Sequence, residues 1–447
     1  MLKFGTDGVR GRFGTELTES YAACLAEVAA QVLQCKSMII GRDTRESGLA
    51  LEGAIAKSLA SISVDVQLMG VAPTPAIAFA SAKSGVAAIA ITASHNAFHD
   101  NGIKIFRSYG QKLSEAEQDE IEKVLAVRLA EVDDAQKFET ERTGNQAKIE
   151  PRPELLKNYF EFLASAVKNK SLKQLHVVLD CANGAMSDVA PEIFAKLGAT
   201  VTTINATPDG KNINHECGAT HPAMLGEVVK QVGANFGVAY DGDGDRLIAI
   251  DGDGNIVNGD QLLAISAIEM KRQNTLGNNK VAVTVMTNIG FHLAMKSAGI
   301  DVITTPVGDR SVLVALEDNA LSLGGEQSGH IIYKDLATTG DGLLASLKLA
   351  ELVSDSGVTL RDLSKKAMTS FPQVLINVKV AKQVEDLEQL FQKEISSAEQ
   401  SLAKKGRVLV RASGTEPVVR VMVEASEITT AESVAKTLVE AITKRLG

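Results

Sequence analysis

A chain of 447 residues is too long for one hydrophobic core, so we expect three or four domains. Its 45% hydrophobic content is that of a globular protein, and its formal charge of −9 argues against broad binding to nucleic acids or anionic membranes. No apolar run approaches the roughly 18 residues of a membrane span, and the N-terminal MLKFGTDGVRG lacks the apolar region of a signal peptide. We therefore expect a cytoplasmic protein, a monomer or a homodimer, with no nucleic-acid partner and no membrane contact.

The four cysteines, at positions 24, 35, 181 and 217, form no Cys-x-x-Cys pair and lie mostly in apolar segments. They are typical of reduced thiols in a cytoplasmic protein. His215, Cys217 and His221 could suggest a zinc site, but no fourth ligand follows at a recognisable spacing. A coincidence of loop residues is the favoured interpretation.

The N-terminal stretch KFGTDGVRGRF carries Arg10 between Gly8 and Gly11, with Val9 intervening. Glycines on both sides would let the backbone and the guanidinium approach an anion closely. This pattern alone does not separate an anion site from a solvated arginine.

A strand–helix–strand pattern then occurs three times. Apolar runs at 37–41, 176–180 and 280–285 each lead through a loop into a helix-period segment, at 48–62, 185–197 and 289–298. A second β-rich run follows each helix, which is the signature of βαβ units with mainly parallel sheets. Because the repeats begin about 140 and about 105 residues apart, they predict three related α/β domains and not a solenoid.

Each repeat also has a later apolar strand that ends in a polar loop. The strand 87–91 precedes TASHN, 236–240 precedes DGDGDR, and 321–323 precedes GGEQSGH. Open α/β sheets bind ligands beyond the carboxyl ends of their strands, so these three loops could line one cleft between domains.

The second of these loops carries Asp241, Asp243 and Asp245, separated by glycines. Carboxylates that converge on one point suit a hard cation such as Mg²⁺, and three unneutralised charges would repel each other. A solvated acidic turn is the alternative. An EF-hand fails because Arg246 and Gly252 stand where its loop needs glycine and glutamate. A haloacid-dehalogenase-type phosphotransferase, with Asp241 as nucleophile, is weakened because its motif continues with Thr or Val where this chain has Asp245.

Between the first and second repeats, the segment 128–153 is polar and predicts a linker or a surface connection, and Pro372 marks a second break at 366–373. The remaining pattern of strands and helices predicts a small α+β domain with an antiparallel sheet, including a helix at 384–404. The predicted domains are 1–150, 151–252, 253–368 and 369–447.

The loop RASGTEP at 411–417, followed by Arg420, combines Ser, Thr, Gly and two arginines between two strands. Such residues make a phosphate cradle, with an ordinary β-turn as the alternative.

Five motifs together carry a family resemblance: KFGTDGVRG, TASHN with NGIK, DGDGDR, GGEQSGH and RASGTEPVVRV. In this order and spacing, the chain resembles the α-D-phosphohexomutase family along its whole length, and its first and fourth motifs are similar to the glucosamine branch. The resemblance implies three related α/β domains with mainly parallel mixed sheets, a smaller C-terminal α+β domain, and an active site in the central cleft.

The resemblance also implies residue roles. Ser94 matches the serine that carries the phosphoryl group, and one Mg²⁺ per chain is held by Ser94, Asp241, Asp243 and Asp245. Arg10, Lys104 and His330 match catalytic basic groups. The implied substrate-binding residues are Arg246, Glu326, Ser328, Arg411, Ser413, Gly414, Thr415 and Arg420.

Without the family match, Ser94 would be an ordinary loop serine. Adjacent residues at a strand end point in different directions, so Ser94 and His95 do not read as a hydrolase pair.

The implied reaction is the reversible conversion of glucosamine 6-phosphate to glucosamine 1-phosphate, feeding UDP-N-acetylglucosamine and cell-wall synthesis. Glucosamine 1,6-bisphosphate or glucose 1,6-bisphosphate is the expected activator. Lys104 is the preferred base, since arginines beside it would lower its pKa, and His330 is second. The alternatives are a glucose or mannose phosphate mutase of the same fold, a phosphatase with Asp241 as nucleophile, and a non-catalytic sugar-phosphate-binding paralogue.

Three positions depart from the family pattern. Gly244 replaces a common Ala, which we expect to add flexibility without removing a ligand, and Ala97 replaces a common Pro. Ser311 stands where Tyr is frequent, which leaves the substrate preference open.

Overall fold

The computed structural model describes residues 2–5, 8–131, 147–167, 171–381, 386–402, 405–412 and 418–446. The chain divides into two compact units, Met1–Val285 with Asp301–Ser364, and Met286–Ile300 with Lys365–Gly447. The described residues of the first unit form three sheets and those of the second form one. The finer division at 150, 252 and 368 stays a prediction.

The first sheet has the strand order β1-β5-β4-β2-β3-β7, with β6 paired to β5. Buried apolar side chains from both the sheet and the first helices form its core. The elements are β1 (Val9–Arg12), α1 (Glu19–Val32), β2 (Ser37–Arg42), α2 (Gly48–Ser61), β3 (Asp65–Val71), α3 (Thr74–Ser84), β4 (Ala87–Ile91), β5 (Asp100–Arg107), β6 (Gln111–Lys112), α4 (Glu115–Glu131) and β7 (Ile149–Pro151).

The second sheet has the order β12-β11-β10-β8-β9. All five residues of its strand β10 are buried, as expected for a strand covered on both faces. The elements are α5 (Glu154–Ala166), β8 (His176–Asp180), α6 (Met186–Lys196), β9 (Thr200–Ile204), α7 (Ala223–Val232), β10 (Phe236–Tyr240), β11 (Leu247–Asp251) and β12 (Ile256–Val257).

The third sheet has the order β14-β13-β15-β16. Helix α9 of this stretch belongs to the second compact unit. The elements are α8 (Gly259–Arg272), β13 (Lys280–Thr284), α9 (Ile289–Ser297), β14 (Asp301–Thr305), α10 (Asp309–Asp318), β15 (Leu323–Gly325), β16 (Ile331–Tyr333), α11 (Gly342–Ser356) and α12 (Leu360–Ala367).

The three sheets share one topology. The strands β3-β2-β4-β5, β9-β8-β10-β11 and β14-β13-β15-β16 correspond in order. In each set the first three strands are parallel and the last is antiparallel to its neighbour. The prediction of three related α/β domains with mainly parallel mixed sheets is confirmed.

The second unit contains a three-stranded antiparallel sheet, as predicted, in the order β17-β19-β18. Within this unit Asn288 Oδ1 accepts the backbone N–H of Phe371 at 3.0 Å, and Glu424 Oε2 accepts that of Ile289 at 3.0 Å, which anchors the start of α9. Its other elements are β17 (Gln373–Lys379), α13 (Leu387–Leu390), α14 (Gln392–Ser401), β18 (Gly406–Ala412), β19 (Val418–Ala425) and α15 (Ile428–Leu446).

Two element predictions were wrong. The expected linker at 128–153 includes the end of α4 and the edge strand β7, which pairs with β3 and can hold Pro151 because an edge position needs no N–H donor there. The expected helix at 384–404 is broken at Phe391, whose side chain is 1% exposed and lies in the core of the second unit. No helix among the described residues is both long and apolar enough to cross a bilayer.

Candidate active site

Polar loops that follow β4, β10 and β15 come together within the first unit. Ser94 Oγ donates a hydrogen bond to Asp241 Oδ2 at 2.6 Å, which joins the first loop to the second. His330 Nδ1 lies 3.7 Å from Asp245 Oδ1, which joins the third to the second. The equivalent positions of the three strands in their sheets thus place chemistry-bearing side chains at one point.

The second loop provides three buried carboxylates. Asp241, Asp243 and Asp245 are each at most 2% exposed, and one oxygen of each lies within 4.8 Å of the others. Burial, followed by the charges of Asp245 and Asp243, raises the pKa of Asp241 to about 8. Burial opposes ionisation of Asp245 too, but Lys104 and His330 outweigh it and hold its pKa well below the usual value. Such crowded charge favours a bound cation.

The pattern of used and unused oxygens fits a divalent metal. Asp243 Oδ1 and Asp245 Oδ1 are buried and accept no hydrogen bond within the described structure. Hard, charged oxygens are the ligands that Mg²⁺ prefers. No other group of three metal-ligating side chains lies close together among the described residues, so the set at 215–221 gives no support to the zinc alternative.

The glycines of this loop allow close packing. A Cβ on Gly242 would lie 2.6 Å from the carbonyl oxygen of Ser94, so only glycine lets the two loops approach. Gly244 has a φ of +71°, and a Cβ there would lie 2.3 Å from Met186 Cε. The left-handed backbone favours glycine at this position, and a side chain here would also have to displace Met186; the expected flexibility of Gly244 stays a prediction.

Ser94 is 1% exposed and has a φ of +53°. Because its backbone is left-handed and not extended, its Oγ also reaches His95 Nδ1 at 3.1 Å, contrary to the expectation that these side chains diverge. Burial, followed by the nearby charges of Arg246 and Arg10, lowers the pKa of His95 to about 4. The charges of Asp243 and Asp245 oppose this shift but are smaller in effect. His95 is therefore a neutral hydrogen-bond partner at pH 7.

Two other side chains bind the carboxylates of the acidic loop. Lys104 on β5 is 3% exposed, and its Nζ lies 2.7 Å from Asp243 Oδ2 and 2.8 Å from Asp245 Oδ2. Thr74, at the start of α3, donates its hydroxyl to Asp243 Oδ2 at 2.6 Å. The sequence led us to expect arginines beside Lys104, whereas in the structure its Nζ contacts two carboxylates.

Two predicted arginines lie at the edge of the same cluster. Arg10 on β1 places Nη1 3.5 Å from Asn96 Oδ1, next to the serine loop. Arg246 places Nε 3.9 Å from Asp245 Oδ1, and its backbone N–H donates to Asp241 Oδ1 at 3.2 Å. Both guanidiniums influence the His95 imidazole, so positive charge lies close to Ser94.

His330 is buried between two carboxylates, with Nδ1 3.7 Å from Asp245 Oδ1 and Nε2 3.7 Å from Asp309 Oδ2. Burial lowers its pKa, but the nearby carboxylates of Asp245 and Asp309 raise it more. The backbone N–H of Gly340 donates to Nε2 at 3.1 Å, which opposes a proton on that nitrogen. His330 is therefore enclosed by Asp245, Asp309 and the Gly340 backbone, and its role as second candidate for the base stays a prediction.

The other predicted residues of the third loop are less buried. Glu326 is half-buried, and its Oε1 accepts the N–H of Gly308 at 3.3 Å. Ser328 is exposed. Within this loop, Glu326 and Gly329 are bridged by a backbone hydrogen bond of 3.0 Å, which shapes a tight turn ahead of His330.

Comparison with known proteins decides the family. Four models described as phosphoglucomutase/phosphomannomutase domains match in order: alpha/beta/alpha domain I at residues 1–129, domain II at 157–254, domain III at 258–371 and the C-terminal domain at 375–441. The phosphoglucosamine mutase of Rhodococcus jostii (strain RHA1) is 45% identical over 446 residues, which cover 97% of this chain and 98% of that protein.

The chain belongs to the α-D-phosphohexomutase family.

Solved structures agree on the fold of this phosphohexomutase. A phosphoglucomutase/phosphomannomutase family protein from Burkholderia thailandensis superimposes with a TM-score of 0.80 at 23% identity, covering 98% of this chain and 97% of that one. The N-acetylphosphoglucosamine mutase of Aspergillus fumigatus, in complex with GlcNAc-6P and magnesium, gives a TM-score of 0.71 at 18% identity, covering 99% and 96%.

Two predicted residues of the phosphohexomutase lie in its second unit. Arg411 on β18 and Arg420 on β19 are directly opposite each other in the antiparallel register. Burial, and then the charge of Arg420, lowers the pKa of Arg411, and Arg420 Nε is buried without an acceptor among the described residues. Like charges in such a pair are destabilising unless an anion binds them. The predicted residues Ser413, Gly414 and Thr415 lie outside the described residues.

Sequence reasoning missed several residues that hold the serine loop. Arg45 is 1% exposed and donates to four carbonyl oxygens between Ser94 and Asp100. Asn214 Nδ2 donates to Ser94 O at 2.8 Å and to Asn96 O at 3.1 Å. Neither residue belongs to a motif with a known physical function, so the available signal was only a charged or polar residue in a loop after a strand.

Proposed function

We propose that this phosphohexomutase catalyses the reversible conversion of glucosamine 6-phosphate to glucosamine 1-phosphate through a phosphoserine at Ser94. The observation that carries the proposal is the 2.6 Å hydrogen bond between Ser94 Oγ and Asp241 Oδ2, because it places the serine at the triad of carboxylates. The substrate follows from the 45% identity to a phosphoglucosamine mutase over nearly the whole of both chains.

In the first half-reaction, the 1-hydroxyl of the substrate attacks phosphorus on Ser94. A new O1–P bond forms, the Oγ–P bond breaks, and the hydroxyl proton moves to a base, which leaves glucosamine 1,6-bisphosphate. The intermediate then turns, Ser94 Oγ attacks its 6-phosphoryl group, the O6–P bond breaks, O6 takes the proton back from the base, and glucosamine 1-phosphate is released. We assign the base to Lys104, with His330 second, because both side chains lie beside the carboxylates that Ser94 meets, within reach of a hydroxyl at that point.

The transition state of phosphoryl transfer spreads negative charge over the equatorial oxygens and requires positive charge around it. One Mg²⁺ per chain, bound by Asp241, Asp243, Asp245 and a phosphoserine oxygen, would supply part of that charge. Arg10 and Arg246 supply more, and their influence on His95 supports a position near the serine.

The phosphate that does not react is assigned to the loop of the second unit. Arg411, Ser413, Gly414, Thr415 and Arg420 would bind it, and the facing charges of the two arginines support an anion there. Glu326 and Ser328 would contact sugar hydroxyls. Glucosamine 1,6-bisphosphate or glucose 1,6-bisphosphate would serve as activator by phosphorylating Ser94. We further propose that the protein is cytoplasmic and is a monomer or a homodimer.

The test compares glucosamine 6-phosphate with glucose and mannose phosphates, with Mg²⁺ and a catalytic amount of bisphosphate, in an assay coupled to 1-phosphate formation. We expect the highest kcat/KM for glucosamine 6-phosphate, and a phosphate on Ser94 by intact-mass and peptide analysis. A higher kcat/KM for glucose or mannose phosphate would instead indicate a mutase of the other branch.

Ser94→Ala separates the mutase from the phosphatase alternative. We expect loss of turnover and of the phosphate mass, with melting temperature kept. Near-normal mutase activity in this variant would refute the phosphoserine scheme, and release of free phosphate without Ser94 would point to Asp241 as nucleophile. Ser114→Ala is a suitable control, since Ser114 lies at an exposed turn, where its hydroxyl donates to Glu117 Oε2 at 2.7 Å.

A further inference from the structure

The backbone of Ser94 is held in a conformation that serine rarely adopts. Its φ of +53° lies in the left-handed region, where a residue other than glycine costs about 1 kcal/mol or more. Such strain persists only where the surroundings enforce it, so the contacts of the Ser94 backbone show what maintains the conformation.

On the amino side, a buried network fixes the Ser94 N–H. This group donates to Thr92 Oγ1 at 2.9 Å, and the Thr92 hydroxyl donates in turn to Asp43 Oδ2 at 2.7 Å. Asp43 is 1% exposed, and the same Oδ2 accepts Arg45 Nε at 2.9 Å. The orientation of Thr92 and that of Arg45 are therefore set by one carboxylate.

On the carbonyl side, two donors from different parts of the chain bind the same two oxygens. Arg45 Nη2 donates to Ser94 O at 3.1 Å and to Asn96 O at 2.8 Å, and Asn214 Nδ2 reaches the same two oxygens at 2.8 and 3.1 Å. Arg45 Nη1 binds Asp100 O at 2.9 Å and also the carbonyl of Ala97. The five N–H groups of the guanidinium are thus matched by acceptors, four of them in the serine loop.

We propose that Arg45 and Asn214 form a carbonyl clamp, which holds Ser94 in its left-handed conformation with Oγ directed at Asp241. They are positioning residues, since neither would touch the substrate. This inference rests on the phosphoserine function proposed above. Asn214 lies in the loop between β9 and α7, so the clamp joins the serine loop to the part of the chain that carries the carboxylates.

The clamp acts on phosphoryl transfer more than on substrate binding. Drawing the loop carbonyls toward Arg45 and Asn214 fixes the direction of the Ser94 Cα–Cβ bond, and with it the position of the phosphorus. A displacement of about 1 Å in a reacting atom reduces rate by about 100-fold. The clamp contacts are made to backbone carbonyls of the serine loop and not to the side chains assigned to bind the sugar or the non-reacting phosphate, so the KM should change little.

The test measures phosphoryl transfer from the phosphorylated enzyme to glucosamine 6-phosphate by rapid quench, together with steady-state kcat and KM. Asn214→Ala removes two hydrogen bonds, and Asn214→Asp keeps the size while turning a donor into an acceptor. Arg45→Lys keeps the charge but has three donors in place of five. For all three we expect transfer and kcat to fall about 10- to 100-fold, with KM within about twofold.

Matched controls come from neighbouring positions without clamp contacts. Asn212→Ala alters the same loop as Asn214, where Asn212 Nδ2 donates to Thr207 O at 3.0 Å. Arg42→Lys alters an arginine whose partners are Asp43 O and Glu52. Both should transfer at the wild-type rate. Calorimetry on every variant separates a loss of fold from a loss of positioning.

The outcomes are distinct. Wild-type transfer rates in Asn214→Ala and Asn214→Asp would overturn the clamp, and so would a rise in KM without loss of transfer. If Asn214→Asp behaves like wild type while Asn214→Ala does not, the side chain only fills space and the proposal fails. If Arg45→Lys does not fold, the Asn214 variants decide alone. A wild-type enzyme without phosphate on Ser94 and without mutase activity would instead refute the proposed function, and the clamp with it.

Discussion

Replacing Lys104 by methionine should reveal how far this lysine neutralises the carboxylates of the acidic loop. Methionine has a similar shape but no charge. Lys104 is 3% exposed and lies within 2.8 Å of both Asp243 Oδ2 and Asp245 Oδ2. Removing one partner from a buried ion pair costs about 3–5 kcal/mol, because the remaining charge is left buried and uncompensated.

Magnesium should reduce that loss. The oxygens used by Lys104 are the two Oδ2 atoms, whereas Asp243 Oδ1 and Asp245 Oδ1 accept no hydrogen bond within the described residues. A cation bound at the Oδ1 atoms would neutralise carboxylates that the variant leaves unpaired. We therefore expect Lys104→Met to melt about 5–10 °C below wild type in chelator, and Mg²⁺ to raise its melting temperature more than that of wild type.

The assay is differential scanning calorimetry with chelator and with saturating Mg²⁺. Lys112→Met is the control, because the ion pair of Lys112 is with Asp309, outside the acidic loop, and its side chain is also largely enclosed, at 13% exposed. Its stability loss should be the same with and without Mg²⁺. A Lys104→Met variant that melts with wild type in chelator, or that gains no more from Mg²⁺ than wild type does, would refute the reasoning.

Three further predictions concern removal of the metal, Gly244 and Asp341. Chelation of wild type should stop turnover while circular dichroism stays native, since Lys104 still neutralises part of the triad; unfolding would contradict this. Gly244→Ala should destabilise the protein by about 2–4 kcal/mol in urea titrations, from left-handed strain and the 2.3 Å approach to Met186, and should cost less in a Met186→Ala background. Burial raises the pKa of Asp341 to about 6, so its ionisation is unfavourable in the fold and stability is lost as pH rises from about 4 through 6. Asp341→Asn keeps an oxygen that can accept from Tyr159 and Leu344. Its free energy of unfolding, measured relative to that of wild type, should rise by about 3 kcal/mol between pH 4 and 7. A difference that does not change with pH would contradict this.

The fold could be predicted from sequence because most of its signals are local. Alternating and helical periodicities repeat in the same order three times, and each repeat has its own sheet. The two wrong elements depend on distant partners. Strand β7 exists because β3 offers it an edge, and the break at Phe391 exists because the core of the second unit accepts its ring. Neither partner is visible in the local pattern.

The residues of the candidate site could be predicted only where they belong to a recognisable sequence motif. Ser94 and the three aspartates stand in recognisable motifs, and the structure brings them together. The charge of the groups beside Lys104 was predicted with the wrong sign. A motif gives the type of a residue but does not show which neighbours its side chain contacts. Thr74, Arg45 and Asn214 reach the site from other loops, so only the folded backbone reveals them.

Charge balance explains why these residue types occur together in a buried site. Three ionised carboxylates in the acidic loop would carry three negative charges, of which Lys104 neutralises one and a divalent cation would neutralise the other two. A phosphoserine would add nearly two negative charges, which Arg10 and Arg246 match. In a low-dielectric interior, each uncompensated charge destabilises the fold. Removing any one of these groups therefore changes the electrostatic energy of all the others. This coupling predicts that variants of Lys104 and Arg246 will be non-additive in Mg²⁺ affinity, because both act on Asp245.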